Sequence, residues 1–196
     1  MNSEFGRGPS PDRSSHSNCC GGQYTVESSE AAWWRSMEEL VPIFECEGIN
    51  LHIEPHPDDF IETLHLAVDM IRMVNSKNVK FLYCAPHTFY FGDDMGQMIR
   101  DCASVLAHVH VADTFNHKAS SGLRYIINPP GAKATVYQHL DIGQGEVNWD
   151  VFFATLAEVK FDGIMTACVF AWEERAENSS RFMRERMQHY VDRYWK

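Results

Sequence analysis

The 196-residue sequence has no run approaching the roughly 20 apolar residues that a bilayer-crossing helix needs, and its first ten residues lack the apolar core of a signal peptide. No membrane partner is expected, and a cytoplasmic location is. Basic residues are scarce too: 17 Lys+Arg stand against 27 Asp+Glu, a formal net charge of -10. That balance removes the electrostatic attraction behind most non-specific nucleic-acid affinity, so a phosphate-backbone partner is not expected. Small molecules suit such a chain better. Apolar surface is not lacking: 44% hydrophobic and 12% aromatic residues exclude disorder throughout and fit an ordinary globular composition. The six cysteines, Cys19, Cys20, Cys46, Cys84, Cys102 and Cys168, are even in number. A chain of this length has no need of disulfide staples, and in a reducing compartment they read as buried thiols or metal ligands.

Regular periodicity is missing from residues 1–25, which are rich in Gly, Pro, Ser and Asn and read as a loop. His16, Cys19 and Cys20 resemble a metal site in residue type only, without zinc-ribbon or helical spacing. Residues 1–5 look like the end of an earlier strand, so residues 1–27 are expected to be a loop and strand remnant and residues 28–196 the domain proper. A helix capped by Ser28 or Ser29 carries Trp33, Met37, Leu40, Val41 and Phe44 on one face as far as Gly48, with Pro42 expected to kink it.

Beyond it, strands and helices alternate. Residues 49–54 form a short alternating strand, and Asp58 or Asp59 with Glu62 provides a capping box for a helix bearing Phe60, Leu64, Ala67, Val68 and Ile71. Residues 79–84 and 106–112 are the next strands, separated by a helix through Met95, Ile99, Cys102 and Val105. Residues 113–145 form a polar stretch too long for a plain connection and read as a functional loop. A helix at 149–159, a strand at 164–170 and a last amphipathic helix complete the chain. Four βα units imply a parallel sheet with outer helices. A whole (β/α)8 barrel takes about 250 residues, so an α/β fold forming the C-terminal half of a TIM barrel is expected, with a flat open sheet as the alternative.

In a parallel barrel, catalytic groups sit where strands end. Here the strands end in Glu54, Cys84, His110 and Cys168, and the side-chain period of two puts each on a common face with His52, Leu82, His108 and Thr166. The opposite face, with Ile53, Phe81, Tyr83, Val109, Val111, Ala167 and Val169, is apolar enough to pack against helices. Glu54 reads as functional or as a solvated strand end; His110 as a ligand or as a core histidine, with Asp113 placed to hold its ring or contact substrate. Cys84 and Cys168 taken singly read as small buried hydrophobes. His56 and His87 follow prolines at strand exits, where they either touch substrate or cap turns.

Taken in order, Asn50-Leu51-His52-Ile53-Glu54-Pro55-His56, residues 106–113, residues 140–149 and Phe161-Asp162-Gly163 resemble the sugar phosphate isomerase/epimerase group, which has the xylose-isomerase-like barrel fold. Cys84-Ala85-Pro86-His87 and residues 168–174 look like its branch associated with myo-inositol catabolism. The resemblance implies a divalent ion held by Glu, Asp, His and Glu at four strand ends. Glu54 and His110 match two of these; Cys84 stands at the Asp position and Cys168 at the last Glu. His87 matches a histidine that contacts substrate.

Such a group of residues suits moving a hydrogen between neighbouring carbons of a keto sugar or inosose. A base takes one C–H proton and a divalent ion stabilises the enediolate oxygens. Glu54 is expected as ligand and proton acceptor, with His87 as the second catalytic group and His56, His87 and Asp113 at the substrate. With Cys84 and Cys168 as ligands the ion is expected to be zinc; without them, manganese or magnesium. Glu173 or Glu174 is then an alternative second base. A degenerate sugar-binding or assembly protein on the same fold is the alternative reading; a phosphodiester hydrolase on the related DNA-repair barrel is disfavoured by the charge and by too few His and Asp ligands for several metals. Half a barrel also leaves two open edges and an exposed face, so a homodimer is expected.

Overall fold

The computed structural model describes residues 26–56, 59–89, 91–92, 94–115, 139–171 and 173–196. The expected loop at 1–25, its His16, Cys19 and Cys20, and residues 116–138 of the long polar stretch lie outside them.

The chain opens with helix α1 (Val26–Glu47), which starts ahead of the two candidate caps, so Ser28 and Ser29 sit inside its first turns. It runs through Pro42, where the missing N–H leaves the carbonyl of Glu38 to water; both residues are exposed, which makes the interruption tolerable. Then follow β1 (Leu51–Ile53), α2 (Leu64–Val74), β2 (Val79–Cys84), a one-turn α3 (Ala85–Phe89), α4 (Met95–Cys102), β3 (Leu106–Val111), α5 (Trp149–Glu158), β4 (Ile164–Ala167), a short 3-10 turn (Glu173–Arg175) and α6 (Ala176–Tyr194). The capping box expected at Asp58 or Asp59 is replaced by Thr63, whose hydroxyl accepts from the N–H of Leu66 at 3.3 Å. Asp59 instead faces His56 at 3.9 Å in the loop before the helix.

All four strands are parallel and lie in the order β1-β2-β3-β4, the sequential order of a barrel wall. The pleat sorts the side chains as their alternation predicts. Phe81, Tyr83, Val109 and Val111 point to the helical side and are fully buried with Phe152, Phe153, Leu156, Ile99 and Met183. Phe153 and Tyr190 stack at 4.6 Å with 2° between their planes, which ties α6 to α5. Truncating a fully buried ring such as Phe152 to alanine costs about 3–5 kcal/mol. The other face carries His52, Leu82, Cys84, His108, His110 and Thr166, and the register sets Cys84 beside His110 and His110 beside Thr166. That face is polar rather than apolar, because three of its central positions are histidines.

Among the described residues no helix is long and apolar enough to cross a membrane.

Candidate metal centre at the strand ends

Parallel strands in register deliver their last side chains to one place, and Glu54, Cys84 and His110 meet there. Their donor atoms all lie within 4.8 Å of one another. Glu54 Oε1 is 3.2 Å from His110 Nδ1 and 3.3 Å from His87 Nδ1, so a single carboxylate oxygen faces two imidazoles. His87 reaches it from α3, which begins immediately after Cys84 and buries the ring. The His87 ring also donates from Nδ1 to the carbonyl of Pro55 at 3.2 Å. His56 lies edge-on to His87 with ring centroids 4.3 Å apart, at the more open side of the group.

A fifth donor comes from a residue the sequence reading treated only as part of a polar loop. His139 is buried, and its Nε2 lies 3.7 Å from Cys84 Sγ. Its ring stands 5.3 Å from that of His87 and 5.0 Å from that of Phe170. The signal available in the sequence was its place one residue before Leu140-Asp141-Ile142-Gly143, the segment that carries the family resemblance.

Asp113 is what brings that segment in. Its backbone pairs with Leu140 in both directions, at 2.8 and 2.9 Å. Its carboxylate accepts from the backbone N–H of Thr114 and Val147 on one oxygen, and from Gly143 N–H and Trp149 Nε1–H on the other. With both oxygens engaged and the residue 1% exposed, Asp113 has no lone pair directed at a substrate or at His110, as it had been expected to. Its work is to clamp the loop after β3. Gly145 completes the clamp: a Cβ there would stand 2.3 Å from the carbonyl oxygen of Thr114.

Cys168 follows β4 on the His110 side and helps to raise that imidazole's pKa, but it belongs to neither group of mutually close donor atoms among the described residues. Glu174 is exposed on the 3-10 turn. One layer deeper, His52 Nδ1 and His108 Nδ1 are 3.4 Å apart and His108 Nε2 meets Thr166 Oγ1 at 2.7 Å.

The protonation of the group follows from burial and neighbours. Burial opposes charge on Glu54, yet the hydrogen bond from His110 and the rings of His87 and His110 hold its carboxyl down at about 2. Burial also works against charge on His110, but hydrogen bonds to Cys168 and Glu54 raise it to about 10. His87, despite Glu54, is lowered by burial to about 4, and His139 by burial and His87 to about 3. Burial, with Glu54 and Cys168 close by, pushes the Cys84 thiol well up. The metal-free centre is thus a carboxylate paired with one imidazolium, beside two neutral imidazoles and a neutral thiol.

This donor set fits zinc. Ligand bonds of about 2.0–2.3 Å at tetrahedral angles give donor separations of about 3.2–3.7 Å, which the Glu54–His110 distance of 3.2 Å matches. A thiol among imidazoles serves an oxygen-seeking ion such as magnesium poorly.

The family model for the xylose isomerase-like TIM barrel matches residues 14–186. The chain belongs to that family. Membership decides for a barrel segment over the flat sheet. No curated protein matches the chain. Among solved structures, the xylose isomerase-like chain is similar to the IolI protein with a bound zinc atom, with a TM-score of 0.66 at 19% identity over 89% of this chain. It is similar also to the 3-keto-D-glucoside 4-epimerase YcjR from E. coli, TM-score 0.60 at 20% identity over 84% of this chain. A D-tagatose 3-epimerase-like protein gives a TM-score of 0.64 at 17% identity over 85%. The chain spans 60%, 56% and 54% of those three structures. At such identities the likeness speaks for the fold.

Proposed function

We propose that residues 28–196 carry the metal centre of an isomerase or epimerase acting on a sugar, a sugar phosphate or an inositol-derived ketone. The observation that carries this reading is the single carboxylate oxygen of Glu54 facing His110 and His87, with the Cys84 thiol alongside. Zinc-bound IolI, the 3-keto-D-glucoside 4-epimerase and the D-tagatose 3-epimerase-like protein on the same fold support it by analogy.

Glu54, Cys84 and His110 would hold the ion, with Cys168 closing the set after a small movement towards His110. Bound there, a divalent ion would supply Lewis-acid stabilisation of negative charge on neighbouring oxygens. The remaining work belongs to the chain. Glu54, held as a carboxylate, is in the state that accepts a proton, and neutral His87, its Nδ1–H committed to Pro55, would offer Nε2 as an acceptor for a substrate hydroxyl. His56, at the open side, would contact the distal end of a polyol. His139, buried beside Cys84, restricts water on that side of the group, which strengthens these interactions.

Solvent deuterium incorporation tests the reading. Zinc-loaded protein incubated in D2O with a ketohexose or an inosose is expected to introduce deuterium at the carbon next to the carbonyl. Glu54→Gln abolishes it. Absence of exchange across ketoses, ketose phosphates and inososes rules the reading out.

A second reading has one observation in its favour: thiols occupy two positions where the resemblance implies carboxylates, and that of Cys84 is held neutral. A degenerate, sugar-binding centre would behave this way. Gain of exchange in the Cys84→Asp/Cys168→Glu double variant, with none in the parent protein, favours it.

A further inference from the structure

We propose that two copies of this chain close one eight-stranded barrel between them, β4 of each copy lying parallel beside β1 of the other, with α1 of one packed along α6 of the other. The pairing rests on the fold and not on the metal-centre reading above.

The sheet has four parallel strands in the order β1-β2-β3-β4, with β1 and β4 at its edges, and the family's barrel has eight. A twofold axis along the barrel keeps every strand parallel and joins β4 to β1 twice. Both edges are then paired and the assembly closes. Joining β4 to a second β4 sets the two strands antiparallel and leaves both β1 edges open.

The two edges are unlike, and each has what the other lacks. At β4, α6 leaves a cleft of about 310 Å3 lined by Met165, Ala167, Arg184, Met187, Gln188 and Val191. Around β1, apolar side chains are in surplus. Leu51 and Ile53 are only half-buried on the helix side of the strand, Ile49 before it is 53% exposed and Ile43 of α1 57%. Among the described side chains of α1, a helix of 22 residues, only Met37 is buried.

Charge selects a second copy as the occupant. α1 carries six glutamates against Arg35 alone, whereas α6 carries four arginines against three acids. Each helix runs antiparallel to its strand, so α1 and α6 lie parallel across the junction. The middle of one, at Glu38 and Glu39, comes level with the middle of the other, at Arg184. All three are exposed, and among the described residues none has an ion-pair partner in its own copy. Arg181 and Arg193, by contrast, are already paired with Glu177 and Asp150. Opposite charges at such a junction steer the encounter and fix which edge meets which. On the inner side, Thr166 of one β4 comes beside the face of the other β1 on which His52 Nε2 is buried without a hydrogen-bond partner, and a hydroxyl can serve it. The strand ends of the second copy then form the wall opposite Glu54, Cys84 and His110.

The test is sedimentation velocity on the full chain with charge reversals, the fold of each variant checked by circular dichroism. Arg184→Glu and the double variant Glu38→Lys/Glu39→Lys are each expected to sediment as monomers at a micromolar concentration where the parent is a dimer. Mixed in equal amounts they are expected to regain the dimer, because both junctions then join opposite charges. Should a reversal disturb its helix, the unaltered chain still carries the test: its dimer is expected to weaken as salt rises. A monomeric parent, a dimer that either reversal leaves intact, a mixture that stays monomeric or a dimer indifferent to salt overturns the proposal. Loss of zinc binding or of deuterium exchange leaves it untouched.

Discussion

The indole N–H of Trp149 donates to Asp113 Oδ2 at 2.9 Å, which joins the first residue of α5 to the end of β3 through one buried carboxylate. Three backbone N–H groups converge on the same side chain, so removing it strands four donors in a buried place. Asp113→Ala is expected to cost about 2–4 kcal/mol, read from urea denaturation midpoints. Because the clamped loop bears His139, the variant also weakens zinc retention. A change within about 0.5 kcal/mol, the range of ordinary surface substitutions, contradicts the clamp.

The protonation pattern predicts how the metal-free protein responds to pH. Glu54 has its folded pKa depressed from 4.5 to about 2, so its contribution is present above 4.5 and lost as pH falls towards 2. His87 and His139 are depressed from 6.5 to about 4 and about 3, so the unfolded chain takes up their protons first and stability declines as pH drops below 6.5. His110 runs the other way: raised from 6.5 to about 10, its contribution is complete below 6.5 and is lost as pH climbs towards 10. Thermal melting temperatures across this range should peak close to 6.5, with the acid limb steeper than the alkaline one. A flat profile between 4.5 and 10 argues against the pairing.

Zinc binding must expel protons, because the His110 imidazolium and the Cys84 thiol are both protonated in the metal-free centre. Calorimetric titrations in buffers of different ionisation enthalpy are expected to show net proton release, and affinity is expected to rise with pH. Zinc at a hundred times its dissociation constant should stabilise the fold by about 2.7 kcal/mol, and a chelator should reverse this. Equal melting curves with and without zinc contradict the centre.

Among the described residues β1 and β4 each have a strand neighbour on one side only. Ile164 is 57% exposed on β4 and Phe170 45% exposed just beyond it. We propose that such edges pair with those of a second copy. Sedimentation velocity of the 196-residue chain is expected to show a dimer. A monomer at micromolar concentration counts against the pairing.

Period-two alternation at 79–84 and 106–111 was enough to find β2 and β3 and to assign their faces, because Phe81, Tyr83, Val109 and Val111 have no other way to be buried. Boundaries were less legible. Thr63 displaced the acidic cap because the chain between His56 and Ile61 closes its own turn, with the N–H of His56 bonded to the carbonyl of Ile61. The one-turn α3 was also hidden, since Cys84-Ala85-Pro86 reads as an exit turn while proline is equally at home in a helix's first turn. Glu54, Cys84, His87 and His110 were visible as strand-end residues, but His139 was not: no periodicity marks it, and only the pairing of Asp113 with Leu140 brings it to the centre.

The imidazole layer beneath the ion ligands sets a condition on whatever faces this sheet. His52 Nε2 is buried without a hydrogen-bond partner, and His108 is already committed to Thr166. A generic aliphatic wall would leave that nitrogen stranded, so a surface that closes over it has to bring a matching hydroxyl, amide or water.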